Sequence, residues 1–398
     1  MMLQQGTAQV LALVLSLATL AQATAPPATI RLPAPLGPHK TLGTITATLN
    51  DKAREEIFKP GTHRKLVIQA FYPIPAPPPG QTTTAYSTKL SENVLETLNN
   101  MPNGTIARLR TNSYEQKTPM PKGRKLVPVL FSPGMGMPRF VYTTLCEELA
   151  SRGYAVIAVD HPYDAAVVEF TDGSPPAYRT IPHNATAADL PAIMQALLDV
   201  RVADLRFVAR HLAAMPHAAD LLDMSKLVAF GHSLGGTSAA GFVASPPSRP
   251  RSPSWSPPAK AGVNLDGMLL GPLNSTNLGR DRPFLILGTP SHSSASRPPE
   301  LSWRSFKEAQ RGWVREITLA GFQHQTYSDE PTVVQLLGLQ KFFPPHVLEQ
   351  TIGTVAPARG RRLVAAYVSD FFDWAVRGQP GALLRGPSPL YPEAVFVQ

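Results

Sequence analysis

The run Gly231-His232-Ser233-Leu234-Gly235 has the form Gly-x-Ser-x-Gly. The apolar segment Leu227-Val228-Ala229-Phe230 precedes it, and small residues follow from Gly235 to Ala244. A serine at such a strand-to-helix turn is raised above the sheet as a nucleophile, because the sharp reversal demands strained backbone and leaves no room for neighbouring Cβ atoms. A serine hydroxyl reacts only when a base takes its proton and an acid orients that base. The chemistry implied is acyl transfer through a covalent intermediate.

The order nucleophile, acid, histidine places the partners downstream, each on a loop at the carboxyl end of a later strand. Asp266 ends the apolar run Gly262-Val263-Asn264-Leu265, with Gly267 available for a turn, and His324 stands in Gly321-Phe322-Gln323-His324-Gln325 just past the segment Val314 to Leu319. Ser233, Asp266 and His324 are therefore the expected triad. Asp281 precedes its strand, Asp329 follows the histidine, and His292 lies in a Ser- and Pro-rich stretch read as a disordered loop. His232 is expected to support the elbow, and His161 to line the site or pack locally. Two backbone amides must meet the developing oxyanion: Leu234, directly after the nucleophile, and Met135, in Ser132-Pro133-Gly134-Met135-Gly136 after an early strand.

Elements to hold these groups are legible around them. Leu66 to Tyr72, Val127 to Phe131, Tyr154 to Asp160, Leu227 to Phe230, Gly262 to Leu265, Phe284 to Leu287 and Val314 to Leu319 read as strands. Helical patterns lie near Phe140 to Ser151, Ala187 to Leu212 and Arg361 to Arg377. Strands that are apolar throughout and alternate with helices imply a mostly parallel central sheet covered on both faces, an α/β-hydrolase fold with loop insertions. The stretch Gly80 to Arg124 reads as a polar cap or connection with a short amphipathic piece near Asn93 to Leu98. The Pro/Ser/Arg-rich Ser245 to Lys260 reads as an inserted loop.

The 398 residues are expected to form one catalytic domain over 26–398 behind a signal peptide at 1–25. Met1 to Ala25 is uncharged, with an apolar run Val10 to Leu20 followed by small residues. Secretion to the extracellular space follows, and the sequons at Asn103, Asn184 and Asn274 are candidate glycosylation sites. A single cysteine, Cys146, excludes an intramolecular disulfide, and its apolar surroundings read as a packed thiol. The net charge of +9 is spread over loops without interleaved aromatics, which speaks against nucleic-acid binding. No cofactor and no metal cluster is expected.

Phe131-Ser132-Pro133-Gly134-Met135-Gly136, Gly231 to Gly236, Leu265-Asp266-Gly267, Gly321 to Gln325 and the early Gln69-Ala70-Phe71-Tyr72-Pro73 together resemble the plasma-type platelet-activating factor acetylhydrolase family. The resemblance implies a calcium-independent, phospholipase A2-type serine esterase. Such an enzyme releases acetyl and other short or oxidised acyl groups from the sn-2 position of glycerophospholipids, with the triad and oxyanion residues at the matching positions. Pro133 departs from the family's pattern, standing where a histidine usually precedes the glycine, and the Ser245 to Lys260 insertion is a second departure. Two alternatives remain open: a secreted carboxylesterase or polyester hydrolase with the same triad, and a non-catalytic lipid-binding protein.

The run Val333 to Phe343 is either a core helix or an apolar patch for peripheral contact with lipid surfaces. For the triad, Ser233→Ala and His324→Ala should each lower turnover of an ester by about 10⁴- to 10⁶-fold, since the three groups act as a unit. Steady-state rates of the purified variants check this, and a tenth of the activity remaining in either would refute the assignment.

Overall fold

Runs that are apolar on both sides need cover on both faces, and the strands built from them fill the middle of a ten-stranded sheet. The computed structural model describes residues 28–116, 125–180, 186, 188–216, 218–246 and 256–398. The strands are β1 (Leu42–Glu55), β2 (His63–Pro73), β3 (Ser113–Glu115), β4 (Val127–Ser132), β5 (Tyr154–Asp160), β6 (Val228–His232), β7 (Gly262–Leu265), β8 (Phe284–Gly288), β9 (Val314–Leu319) and β10 (Ala394–Val397). Their order across the sheet is β10-β9-β8-β7-β6-β4-β5-β2-β1-β3. From β9 to β5 every neighbouring pair is parallel, whereas β10 runs against β9 and β2 runs against both β5 and β1.

Seven helices matter for the site: α1 (Lys89–Leu98), α2 (Thr143–Ala150), α3 (Leu190–Ala214), α4 (Leu234–Ala244), α5 (Leu301–Ala309), α6 (Glu330–Leu336) and α7 (Pro357–Arg377). Successive strand side chains alternate between faces. Val129, Phe131 and Phe230 pack against Leu145, Cys146 and Leu149 of α2 and Leu363, Tyr367 and Phe371 of α7. Leu130, Ala229 and Ile286 face Leu205 and Val208 of α3, Phe242 of α4, and Trp303 and Phe306 of α5. This is the α/β-hydrolase arrangement. The chain leaves β4 toward β5 on one side, then returns to place β6 on the other. The strand order therefore switches direction at β4 and β6, whose carboxyl ends are the place where such sheets bind ligands.

Several expectations are corrected. The fourteen-residue strand β1 and the terminal strand β10 were not anticipated. The half-polar alternation of Leu42 to Leu49 suits an edge-region strand with only one covered face, a weaker signal than the continuous apolar runs. Residues 117–124 of the stretch Gly80 to Arg124 lie outside the described residues, and the rest is less irregular than expected. It carries α1, whose cap Thr88 accepts the Ser91 amide at 3.3 Å, and β3, which extends the sheet beyond β1. The first long helix starts at Leu190, with Pro191 in its first turn where a missing N–H costs nothing. Cys146 is buried, and burial raises its thiol pKa, so it is a packing residue. Within Ser245 to Lys260, residues 247–255 lie outside the described residues, as does the whole of 1–25.

The run Val333 to Phe343 is split by Gly338 at φ +65° into the end of α6 and a 3₁₀ turn, Leu339–Phe342. Leu339 is buried, whereas Phe342 is 49% exposed. Leu339→Asp should lower the melting temperature by several degrees, because an unpaired carboxylate replaces buried apolar surface. Phe342→Asp should leave the melt nearly unchanged, and calorimetry of the two variants separates core from surface.

Candidate active site

Ser233 sits at φ +56°, ψ −128°, a conformation that costs a non-glycine residue on the order of 1–3 kcal/mol. Its neighbours hold it there. The Ser233 amide donates to the Leu265 carbonyl at 2.8 Å, and its own carbonyl accepts from Gly236 and Thr237 at 2.9 and 3.2 Å. The glycines are required by contact: a Cβ on Gly231 would lie 2.2 Å from the Gly235 oxygen, one on Gly235 2.0 Å from the Ser132 oxygen, and one on Gly236 2.0 Å from Asn264 Oδ1.

Asp266 is the second strained residue, also at φ +56°. The turn was expected to fall on Gly267. The left-handed residue is the aspartate itself, and Gly267 is needed because a Cβ there would come within 2.1 Å of the Ser233 oxygen. Asn264 closes this turn, accepting the Gly267 amide at 2.8 Å and donating to its carbonyl at 2.5 Å. Asp266 is fully buried, and its Oδ2 accepts Nδ1 of His324 at 2.6 Å. Its Oδ1 accepts the Thr289 amide at 3.0 Å and Nδ1 of His292 at 3.1 Å. Burial alone would favour the neutral acid, but His292 and His324 outweigh it and hold the carboxyl well below the usual range. Asp266 is thus ionised and aimed at His324.

His324 opens a 3₁₀ turn, His324–Tyr327, whose start is fixed by reciprocal bonds between Gln323 and Thr326. Its ring lies 4.5 Å from that of buried His232. Burial and the neighbouring His324 push the His232 pKa far down, so His232 is neutral. The Tyr142 hydroxyl takes the Gly134 amide at 3.0 Å and shares a hydrogen bond with His232 Nδ1 at 2.8 Å. His232 therefore supports the elbow and ties it to the oxyanion loop.

That loop is held from beneath by buried Arg201 of α3. Its guanidinium donates to the carbonyls of Pro133 at 2.5 Å and Gly134 at 3.1 Å, and to Ser132 Oγ at 3.3 Å. Its charge is met by Asp164 at 2.5 Å, which also accepts the Gly136 amide at 3.0 Å. In a trans peptide the N–H points opposite the preceding C=O, so anchoring the Gly134 carbonyl on Arg201 turns the Met135 amide to the other side. Among the described residues the amides of Met135 and Leu234 meet no protein acceptor. They remain free donors at the carboxyl ends of β4 and β6.

His161 packs locally, bonded to Ser132 Oγ at 2.9 Å and to Asp204 at 2.8 Å, and Asp204 also takes buried Arg64. Asp329 is engaged by Thr144 and Tyr86, and Asp281 is exposed. His292 is a correction: the loop read as disordered is ordered, with the ring against Asp266. Arg201, Asp164, Tyr142 and Asn264 were also missed. A signal existed for two of them. Arg201 interrupts the buried stripe Leu197, Leu205, Val208 of α3, and Asn264 interrupts an apolar strand. A cavity of about 230 Å³ opens elsewhere, between Gln69, Tyr86, Arg139 and Glu169, and no triad residue lines it.

Residues 83–178 match the family model described as platelet-activating factor acetylhydrolase, isoform II. A protein of Arthroderma benhamiae named probable 1-alkyl-2-acetylglycerophosphocholine esterase is 29% identical over 418 residues, spanning all of both chains. The solved structure of a ferulic acid esterase from Streptomyces cinnamoneus superposes with a TM-score of 0.76 at 31% identity, covering 93% of this chain and 100% of that one.

If Arg201 aims the Met135 amide, Arg201→Gln should lower kcat for a soluble ester by about 10²-fold, the scale of one lost oxyanion donor, with little change in KM. Steady-state kinetics on a variant shown folded by circular dichroism provide the check, and an unaltered kcat would disprove the role.

Proposed function

We propose that this carboxylic ester hydrolase is a member of the platelet-activating factor acetylhydrolase family and that it cleaves short or oxidised acyl groups from the sn-2 position of glycerophospholipids. The observation that carries this substrate class is the end-to-end likeness to the probable 1-alkyl-2-acetylglycerophosphocholine esterase.

Ser233 Oγ attacks the sn-2 carbonyl carbon and passes its proton to His324 Nε2, while Asp266 holds Nδ1–H and stabilises the imidazolium. The Met135 and Leu234 amides receive the oxyanion, each such donor being worth about 10²–10³ in rate. Collapse breaks the ester C–O bond, and His324 returns the proton to the leaving lysophospholipid. Water then repeats the sequence on the acyl-Ser233, with His324 as base, and releases the carboxylic acid. Every step uses protein groups, so turnover is calcium-independent on this reading. Half-buried Met135, Ile193, Met194 and Leu270 pack against the cluster that holds Leu234, and on this reading they offer the apolar surface that meets the acyl group.

Export rests on the uncharged leader reading of 1–25. Of the sequons, Asn103 is exposed, Asn274 is half-buried and Asn184 lies outside the described residues. Peripheral lipid contact would use exposed Phe342, whose ring carries the Lys341 ammonium at 4.9 Å. A second reading, hydrolysis of hydroxycinnamoyl or other simple carboxylic esters, is favoured by the full-length match to the ferulic acid esterase.

Purified protein should hydrolyse a choline phospholipid with an sn-2 acetyl group at least about 10²-fold faster, by kcat/KM, than its long-chain sn-2 counterpart, since each methylene that the acyl site does not fit costs about 1–3 kcal/mol. EDTA should leave the rate unchanged. A higher kcat/KM for methyl ferulate than for the acetyl phospholipid would favour the second reading.

A further inference from the structure

Behind the acid of the triad stands a histidine that the reaction sequence above does not use. His292 Nδ1 lies 3.1 Å from Asp266 Oδ1, and its Nε2 lies 3.1 Å from Glu300 Oε2. An ionised carboxylate only accepts hydrogen bonds, and a neutral imidazole has one N–H. A ring with a carboxylate at each nitrogen must carry both protons. The His292 ring packs against Trp303 at a tilt of 38°, with centroids 4.4 Å apart, and Trp303 is fixed by its Nε1–H bond to the Gly267 carbonyl at 2.7 Å. Glu300 is also pinned, capping α5 by accepting the Ser302 amide at 2.9 Å.

We propose that His292 is a permanently charged positioning residue: an imidazolium that fixes the unused oxygen of Asp266 and sets the lower pH limit of catalysis. The proposal rests on the triad reading given above. Burial favours the neutral ring, but Asp266 and Glu300 outweigh it and raise the pKa of His292 to about 10. It is therefore a cation throughout the working range. Because Asp266 gives one oxygen to each histidine, the two rings compete for the same negative charge. A fixed cation on one side of the carboxylate disfavours a positive charge on the other, so loss of the charge at 292 would move the acid limb of the rate profile upward.

The other charged groups around these rings are engaged elsewhere. Glu316 takes Lys307, Ser293 and Ser294, and Arg304 donates to the Ser294 carbonyl. On the far side His324 meets neutral His232.

The test is kcat/KM against pH for a soluble ester with the wild type, His292→Gln and Ser233→Ala. Glutamine retains an N–H for Asp266 but no charge, so the acid limb should move upward by about one pH unit, the scale of two unit charges interacting through a partly buried site. An acid limb that stays in place, with Ser233→Ala inactive, overturns the role of His292 and leaves the triad standing. Full activity of Ser233→Ala overturns the triad and this proposal with it. Nitrogen-15 NMR of the wild-type imidazoles reads the same point without a variant: His292 should be doubly protonated at pH 8, and a ring that has lost a proton by then refutes the proposal.

Discussion

The site depends on how closely two backbone segments approach at the carboxyl ends of β4 and β6. The Ser132 oxygen comes so near Gly235 that a methyl group would stand 2.0 Å from it, and the Ser233 oxygen would stand 2.1 Å from one on Gly267. No side chain fits between the elbow, the oxyanion loop and the acid turn. This crowding holds Ser233 and Asp266 at positive φ, since any relaxation of either turn would drive backbone into backbone. It also sets the free amides of Met135 and Leu234 at the carboxyl ends of β4 and β6.

Tight backbone is stiff but does not choose a direction for its dipoles. Direction comes from the buried groups beneath it: the charges Arg201 with Asp164 and Arg64 with Asp204, and the His161 ring bonded to Asp204. Desolvating such groups is expensive, and pairs of this kind are poor sources of net stability. Here further donors of Arg201 end on the Pro133 and Gly134 carbonyls and on Ser132 Oγ, so the cost is offset by bonds that orient the loop. Such a network is preorganised, and a preorganised donor needs no rearrangement as charge develops on the substrate. The histidines follow the same logic. His232 is kept neutral by burial, while His292 is kept charged by two carboxylates, and His324 stands between a neutral neighbour and a shared aspartate.

Much of this was legible in the sequence. Gly231 to Gly235 with its strand and helix, the order Ser233, Asp266, His324, and the uninterrupted apolar strands all report local constraints. A sharp turn needs glycine, and a doubly covered strand needs apolar residues on both sides, wherever the segment ends up. Weaker patterns were lost for the same reason. Strand β1 has one covered face and alternates, and β3 and β10 are short edges whose pairing is decided by partners far away in the chain. The left-handed residue at the acid turn was misplaced by one position, because a glycine's conformational freedom and its lack of volume leave the same letter in the sequence.

The sequence by itself determined the fold class, the parallel centre of the sheet and the identity of the three residues brought to its edge, since each follows from spacing and residue type along a single segment. Only the tertiary structure decided that His292 reaches Asp266, that Arg201 lies under the Pro133 and Gly134 carbonyls, and that Leu339 is buried while Phe342 is not. Those outcomes depend on contacts between separate elements. Local sequence records which groups can form hydrogen bonds, but only packing determines which partners lie within 3 Å and how much water is left between them.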